Sequence, residues 1–243
     1  MSKASALVRL IRPVNCAMMG FAVIVGASLA EKNAIFQLSH YLLLGFATGF
    51  FLTGAAMAVN DYYDREIDAI NEPKRPIPSG AVAPKEALAI AFIMTVMGFA
   101  SAVFTNVAPN WECLFTTFFS WIVAILYVTK GKSTGLSGNL LVSICITIPF
   151  IYGGFVIGPE LLPTTGIFVA RVFLSNTGRE ITKGIVDVQG DKENNIRTIA
   201  VLYGEPKAAI VAAMFYVSAV SLTPIPWPPA ERGFLPVGSW YLE

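Results

Sequence analysis

The sequence predicts an all-α fold, a polytopic bundle of transmembrane helices. Three observations predict it. Hydrophobic residues make up 55% of the 243-residue chain and charged residues only 14%, against about 25% charged in soluble domains. Mean hydropathy is +0.62. Apolar runs close to the ~20 residues needed to cross a bilayer recur along the whole chain, separated by polar loops. The net charge of +1 gives no electrostatic footprint for nucleic acid. One histidine and no paired cysteines argue against a zinc site, and Cys16, Cys113 and Cys145 read as small buried hydrophobes. A single domain over residues 1–243 is expected.

The elements follow in order. Lys3 and Arg9 lie in the first ten residues, and Arg12 follows. Residues 14–30 form an uncharged run of 17. Alone it could pass for a signal peptide cleaved near 26–30, but the spans behind it make it a first transmembrane helix. Further spans are expected at 40–59, 87–104, 113–129, 134–157, 161–177 and 208–222, seven in all. His40 opens the second and is assigned no role. Residues 223–243 hold Pro224, Pro226, Pro228, Pro229 and Pro236 and read as an atypical, partly disordered tail.

Seven spans sort the loops onto two sides. Of the 17 Lys and Arg, 14 fall on the side of the N-terminus, Lys32 and Arg232 on the other, and Arg171 within the sixth span. That asymmetry predicts a multi-pass protein of the cell membrane with its N-terminus and long loops in the cytoplasm.

The chemistry-bearing stretch follows the second span. Asn60, Asp64 and Asp68 are four apart, so on a helix they share one face at about 6 Å intervals. Carboxylates that close repel one another unless a cation sits between them. An all-oxygen set suits Mg²⁺, which bridges carboxylates to substrate phosphates. Lys74 and Arg75 add positive charge a short loop away. The plainer reading is a charged loop that only sets topology.

A second cluster follows the sixth span. Glu180, Asp187 and Asp191 lie at i, i+7 and i+11 with Lys183 between, on one helical face. Asp64 to Asp187 is 123 residues, as is Asp68 to Asp191, which suggests two quasi-equivalent halves. Span parity brings both clusters and Lys130 to one cytoplasmic mouth. Two acidic clusters ringed by Lys and Arg above an apolar bundle suit a lipid-like diphosphate held through Mg²⁺. A divalent-cation transporter is the alternative of another class. Transporters place acidic groups at mid-span, whereas here they stand at or beyond span ends.

At these residues the chain resembles the UbiA superfamily of intramembrane prenyltransferases, over residues 10–222. The resemblance rests on Asn-Asp-x-x-Asp-x-x-x-Asp at 60–68, Arg-Pro-Ile-Pro-Ser-Gly at 75–80 and Asp-x-x-x-Asp at 187–191. The first block is also similar to that of chlorophyll synthases. Tyr127-Val128-Thr129-Lys130, the stretch 138–143 and Arg179-Glu180-Ile181-Thr182-Lys183 are most similar to the archaeal branch that makes digeranylgeranylglyceryl phosphate. That likeness implies Mg²⁺-dependent transfer of a geranylgeranyl group from its diphosphate to the sn-2 hydroxyl of geranylgeranylglyceryl phosphate, in archaeal ether-lipid synthesis. An aromatic quinone precursor or a chlorophyllide is the alternative acceptor.

The resemblance also implies roles. Asn60, Asp64 and Asp68 hold one Mg²⁺ with Asp61 alongside, and Asp187 and Asp191 hold a second. Lys74, Arg75, Lys130, Arg179, Lys183 and Arg197, with Asn60, contact the diphosphate or the acceptor phosphate. Tyr127 faces the cation or a phosphate oxygen, a packing role being equally open. Apart from the resemblance, no base stronger than a carboxylate is evident, so an Asp, with Asp68 the choice, is expected to take the hydroxyl proton. The partners are geranylgeranyl diphosphate, a lipid acceptor and the bilayer, with no protein partner. Two departures stand out: the superfamily usually has nine spans where seven are read here, and Arg171 is unexpected within a span.

Overall fold

The computed structural model describes residues 2–31, 33, 39–105, 111–158, 163–193 and 196–223, and within them the fold is helical. Helix α1 (Lys3–Ile11) starts at Ser2, whose hydroxyl accepts from the Ser5 amide, and ends at Arg12. Arg12 precedes Pro13, and a residue before proline is pushed out of the α region. Arg12 takes φ 52, and the chain restarts as α2 (Pro13–Ala30) with Pro13 in its first turn. Helix α3 (Ser39–Asn71) has 33 residues, about 50 Å of helix against ~30 Å of hydrocarbon. Its C-terminal part therefore stands clear of the apolar run, and the Asn60–Asp68 motif lies there.

After α4 (Pro84–Val103) and α5 (Trp111–Thr129), a single 3₁₀ turn (Gly131–Thr134) leads into α6 (Leu136–Ile157). Helix α7 (Pro163–Val186), the short α8 (Val188–Glu193) and α9 (Ile199–Tyr203), and α10 (Glu205–Ser221) complete the described chain. Each expected span coincides with a helix, save that 161–162 and the proline-rich 224–243 lie outside the described residues. Among the described residues five stretches are long and apolar enough to cross a membrane: Lys3–Ala30, α3, α4, α5 and α6. Helix α10 has only 17 residues, and α7 carries Arg171 and then Arg179, Glu180 and Lys183. Arg171 is half-buried and forms no ion pair among the described residues.

The packing is that of helices in lipid. Phe21, Phe92, Phe115, Phe118, Met214 and Val217 are exposed, while small residues such as Ala27, Ala55, Ala58 and Ala91 are buried. Lipid tails remove the hydrophobic drive between helices, so small residues that permit close approach hold them together. Helices α2 and α6 meet this way: a Cβ at Gly26 would overlap the Phe150 carbonyl, and one at Gly153 the Val23 carbonyl. Helix α3 packs on α2 and α4, α6 packs on α2, α5 and α7, and α7 packs on α10.

Candidate active site

A cavity of about 480 Å³ opens among α2, α3, α5 and α6. Arg12, Asn15, Asn60, Tyr127 and Arg179 line one end of it, and Val23, Thr48, Thr117 and Tyr152 the other. From Asn60 to Thr48 along α3 is 12 residues, about 18 Å. The walls between are mostly apolar, including Met19, Leu52, Trp121 and Ile146. At the deep end the Tyr152 hydroxyl meets Thr105 at 3.0 Å and Thr48 at 3.4 Å, so that ring is fixed.

The first cluster stands at the other end. Asp61 and Asp68 are buried on the inner face of α3 and Asp64 is half-buried. Each carboxylate faces a cation. Arg12 Nη2 lies 2.7 Å from Asp61 Oδ1. Arg75 Nη1 lies 2.6 Å from Asp68 Oδ2 and 3.6 Å from Asp61 Oδ1. Lys132 Nζ lies 2.5 Å from Asp64 Oδ2, and the Asn60 amide donates to the same oxygen at 2.9 Å. The loop after α3 is shaped for this. Backbone bonds from Arg75 to Glu72, Ser79 to Arg75 and Val82 to Pro76 fold it compactly, which turns Arg75 back over the helix end. Ile77 and Val82 of that loop are buried against Ala6 and Leu10 of α1 and Ala58 of α3, so α1 clamps it in place.

The second cluster differs from the single helical face expected of it. The helix breaks at Asp187, between α7 and α8. Register survives through the Asp187 amide on the Lys183 carbonyl and the Asp191 amide on the Asp187 carbonyl, both at 2.9 Å. Glu180 accepts from Lys183 at 2.8 Å and from Arg179 at 3.0 Å. Asp187 is exposed and Asp191 half-buried. Burial raises the Asp191 carboxyl above its ordinary range, a hydrogen bond from Thr198 opposes this, and the Asp187 charge adds to it.

One close approach joins the two clusters. Gly135 has φ +65, and a Cβ there would overlap the Arg197 carbonyl. Only glycine allows both. The loop behind the second cluster thus docks on the 3₁₀ turn whose Lys132 holds Asp64 of the first.

Of the residues named from sequence, Asn60, Asp64, Asp68 and Arg75 come together, and Asn60, Tyr127 and Arg179 line the cavity. Lys183 lies on Glu180. Lys74, Lys130 and Arg197 are exposed and stand outside the ion pairs among the described residues. Sequence reasoning missed Arg12 and Lys132. Among the described residues no three His, Cys, Asp or Glu converge closely enough to hold an ion. The chemistry of the donors nonetheless fits Mg²⁺. Asn60, Asp64, Asp68, Asp187 and Asp191 offer only oxygens, and in this arrangement Lys132 and Arg75 supply the positive charge that two of the carboxylates demand.

The sequence pattern of the UbiA prenyltransferase family matches residues 19–242. A digeranylgeranylglyceryl phosphate synthase of Natronomonas pharaonis is 34% identical, over 93% of this chain and 79% of that protein. One from Korarchaeum cryptofilum is 36% identical, over 93% of this chain and 77% of that protein. A solved structure described as concerning digeranylgeranylglyceryl phosphate synthase in membranes superposes with a TM-score of 0.80 at 31% identity, covering 93% of this chain and 78% of that one. A UbiA homolog from Archaeoglobus fulgidus bound to GPP and Mg²⁺ shares the fold, with a TM-score of 0.72 at 20% identity, over 89% of this chain and 76% of that one. The chain is a prenyltransferase, and it belongs to the UbiA prenyltransferase family.

Proposed function

We propose that the protein transfers a geranylgeranyl group from geranylgeranyl diphosphate to the sn-2 hydroxyl of geranylgeranylglyceryl phosphate. The observation that carries this is an apolar cavity about 18 Å long whose lining ends at Asn60 and Arg179, with the carboxylate and cation cluster beside it. The relatives named for the same reaction, at 34–36% identity, support the acceptor. Asn60, Asp64 and Asp68 on one side, and Asp187 and Asp191 on the other, would hold Mg²⁺. Bound there, the metal supplies charge to the diphosphate oxygens as they leave.

The chain's own groups do the rest. The apolar walls take the prenyl chain and keep water from the allylic carbon. Tyr127 lines the cavity, where an aromatic side chain near the reacting carbon favours developing positive charge. Lys132 leaves Asp64 for a diphosphate oxygen. The carbon–oxygen bond to the diphosphate breaks, the acceptor hydroxyl oxygen bonds to that carbon, and its proton passes to Asp68. Lys183, Lys130 and Arg197 serve the acceptor phosphate, and Lys74 and Arg75 the diphosphate side. The 14-to-2 distribution of basic residues supports a mouth that faces the cytoplasm.

The test is product formation by purified protein given isotope-labelled geranylgeranyl diphosphate, Mg²⁺ and a panel of acceptors. Faster labelling of geranylgeranylglyceryl phosphate than of a quinone precursor or a chlorophyllide is expected. The reverse order would sink the acceptor assignment.

A further inference from the structure

We infer that Arg12 is a phosphate-binding residue at the rim of the cavity, and that Asp61 is its positioning residue rather than a metal ligand. The inference rests on the reading of this site as one for phosphorylated prenyl substrates. It starts from the backbone. Arg12 is the one non-glycine with positive φ among the described residues, a region unfavourable to any side chain with a Cβ. Such conformations persist where the surroundings over-determine them, and they gather at functional sites. Here the surroundings are Pro13 ahead, the end of α1 behind, and Asp61 across the interface.

Asp61 is 2% exposed, and its Oδ1 has Arg12 Nη2 at 2.7 Å and Arg75 Nη1 at 3.6 Å. An enclosed oxygen shared by two guanidinium groups is a poor place for an incoming ion, since ligation would expel an arginine from a buried carboxylate. Asp64 differs: its side chain is 24% exposed and its partner is a lysine on a 3₁₀ turn, which can move away. Two guanidinium groups meet Asp61 where one meets Asp68, so Asp61 is the carboxylate with no need of a metal.

Arg12 has capacity left. Its side chain is 32% exposed, lines the cavity together with Asn15 and Asn60, and spends Nη2 on Asp61. A guanidinium carries five N–H donors in a planar fork that matches phosphate oxygens. Held from behind by a buried carboxylate, the fork is fixed in direction before a substrate arrives. The phosphate it meets is either the donor's diphosphate or the acceptor's phosphomonoester, and binding measurements distinguish them.

The experiment uses the full chain in detergent with two non-reacting probes, geranylgeranyl thiolodiphosphate and a phosphomonoester lipid, each titrated with Mn²⁺ present. Mn²⁺ alone is titrated by its paramagnetic signal. Arg12→Gln should weaken one probe by about tenfold or more, the scale of a hydrogen bond to a charged group, and the probe affected names the phosphate. Asp61→Asn should weaken the same probe, and the double variant should be no worse than Arg12→Gln. Mn²⁺ binding should stay near wild type in Asp61→Asn but fall in Asp64→Asn. Arg12→Lys, which keeps the charge and loses the fork, serves if Asp61→Asn does not fold, and it should weaken the same probe. Unchanged binding of both probes by Arg12→Gln would overturn the inference. So would a loss of Mn²⁺ in Asp61→Asn equal to that in Asp64→Asn. If wild type binds neither probe, the proposed function fails by itself. Inorganic pyrophosphate with Mn²⁺ then decides on Arg12: weaker binding by Arg12→Gln supports it and equal binding overturns it.

Discussion

Replacing Lys132 with Met should move two affinities in opposite directions. Lys132 Nζ rests on Asp64 Oδ2, with side chains 29% and 24% exposed. An ion pair that wet is worth roughly 0.5–1 kcal/mol after screening, so its removal should tighten binding of a divalent metal alone by about two- to fivefold. The same substitution removes a charged donor from the diphosphate. A hydrogen bond to a charged group contributes about 1.5–3 kcal/mol, so a diphosphate analogue should bind roughly 10- to 150-fold more weakly. The assay is calorimetric titration of wild type and Lys132→Met, first with Mn²⁺ and then with geranylgeranyl thiolodiphosphate at saturating Mn²⁺. If both affinities fall together, Lys132 is part of the fold and not a group exchanged between metal-site carboxylate and substrate. If metal binding tightens and the diphosphate is unaffected, the lysine only competes for Asp64.

Four further outcomes are expected. Asp64→Ala and Asp187→Ala should each remove most turnover, since either loss leaves neighbouring charges uncompensated; near wild-type transfer in labelled-product assays by either would count against two metal sites. Lys183→Met should raise the acceptor's KM more than the donor's, by about 1.5–3 kcal/mol, and steady-state kinetics with each substrate varied would reveal the contrary. Gly153→Val should unfold at lower temperature than wild type by differential scanning, because its side chain overlaps the Val23 carbonyl where α2 and α6 meet; an unchanged midpoint would mean the helices separate freely. Asp191→Asn should raise the unfolding midpoint of metal-free protein at pH 7. Burial holds the Asp191 carboxyl above its ordinary range, so its charged form costs stability at high pH, and the gain should vanish below about pH 4, where the unfolded-state carboxyl is protonated too; a gain that persists there would refute it.

The helical architecture was legible because hydropathy acts through composition, and the first acidic cluster because its spacing of four is a property of one helix. Asn60, Asp64 and Asp68 do share the inner face of α3. What stayed hidden was decided between elements. Arg12 read as topology alone because its partner Asp61 is 49 residues away. Lys132 was passed over for Lys130, two positions back. Register in the 3₁₀ turn after α5, fixed by Gly135 against Arg197, selects Lys132 for Asp64, and a separation of 68 residues carries no local signal. A clue did exist: an arginine beside a proline ahead of the first span, and two lysines around Gly131 in a loop too short to need both for topology. The helix break at Asp187 was likewise unreadable, since Gly184 and Gly190 flank it without saying where the chain would bend.

The charge arrangement at the mouth explains how so many carboxylates can be built before any ligand is bound. Four acidic groups gathered along eight residues of α3, Asp61, Asp64, Glu66 and Asp68, would repel strongly if left bare. Each instead holds a basic side chain, and those come from four places: the α1–α2 junction, α3 itself, the loop after α3 and the turn after α5. Folding of the site therefore gathers the cations that a phosphorylated substrate will need. The grip differs with burial. Arg12 and Arg75 are held by carboxylates 2% and 8% exposed, while Lys132 is held by one 24% exposed. Exchange of partners should begin where desolvation is least, so Lys132 is the group free to follow a diphosphate and the arginines form the fixed frame against which it moves.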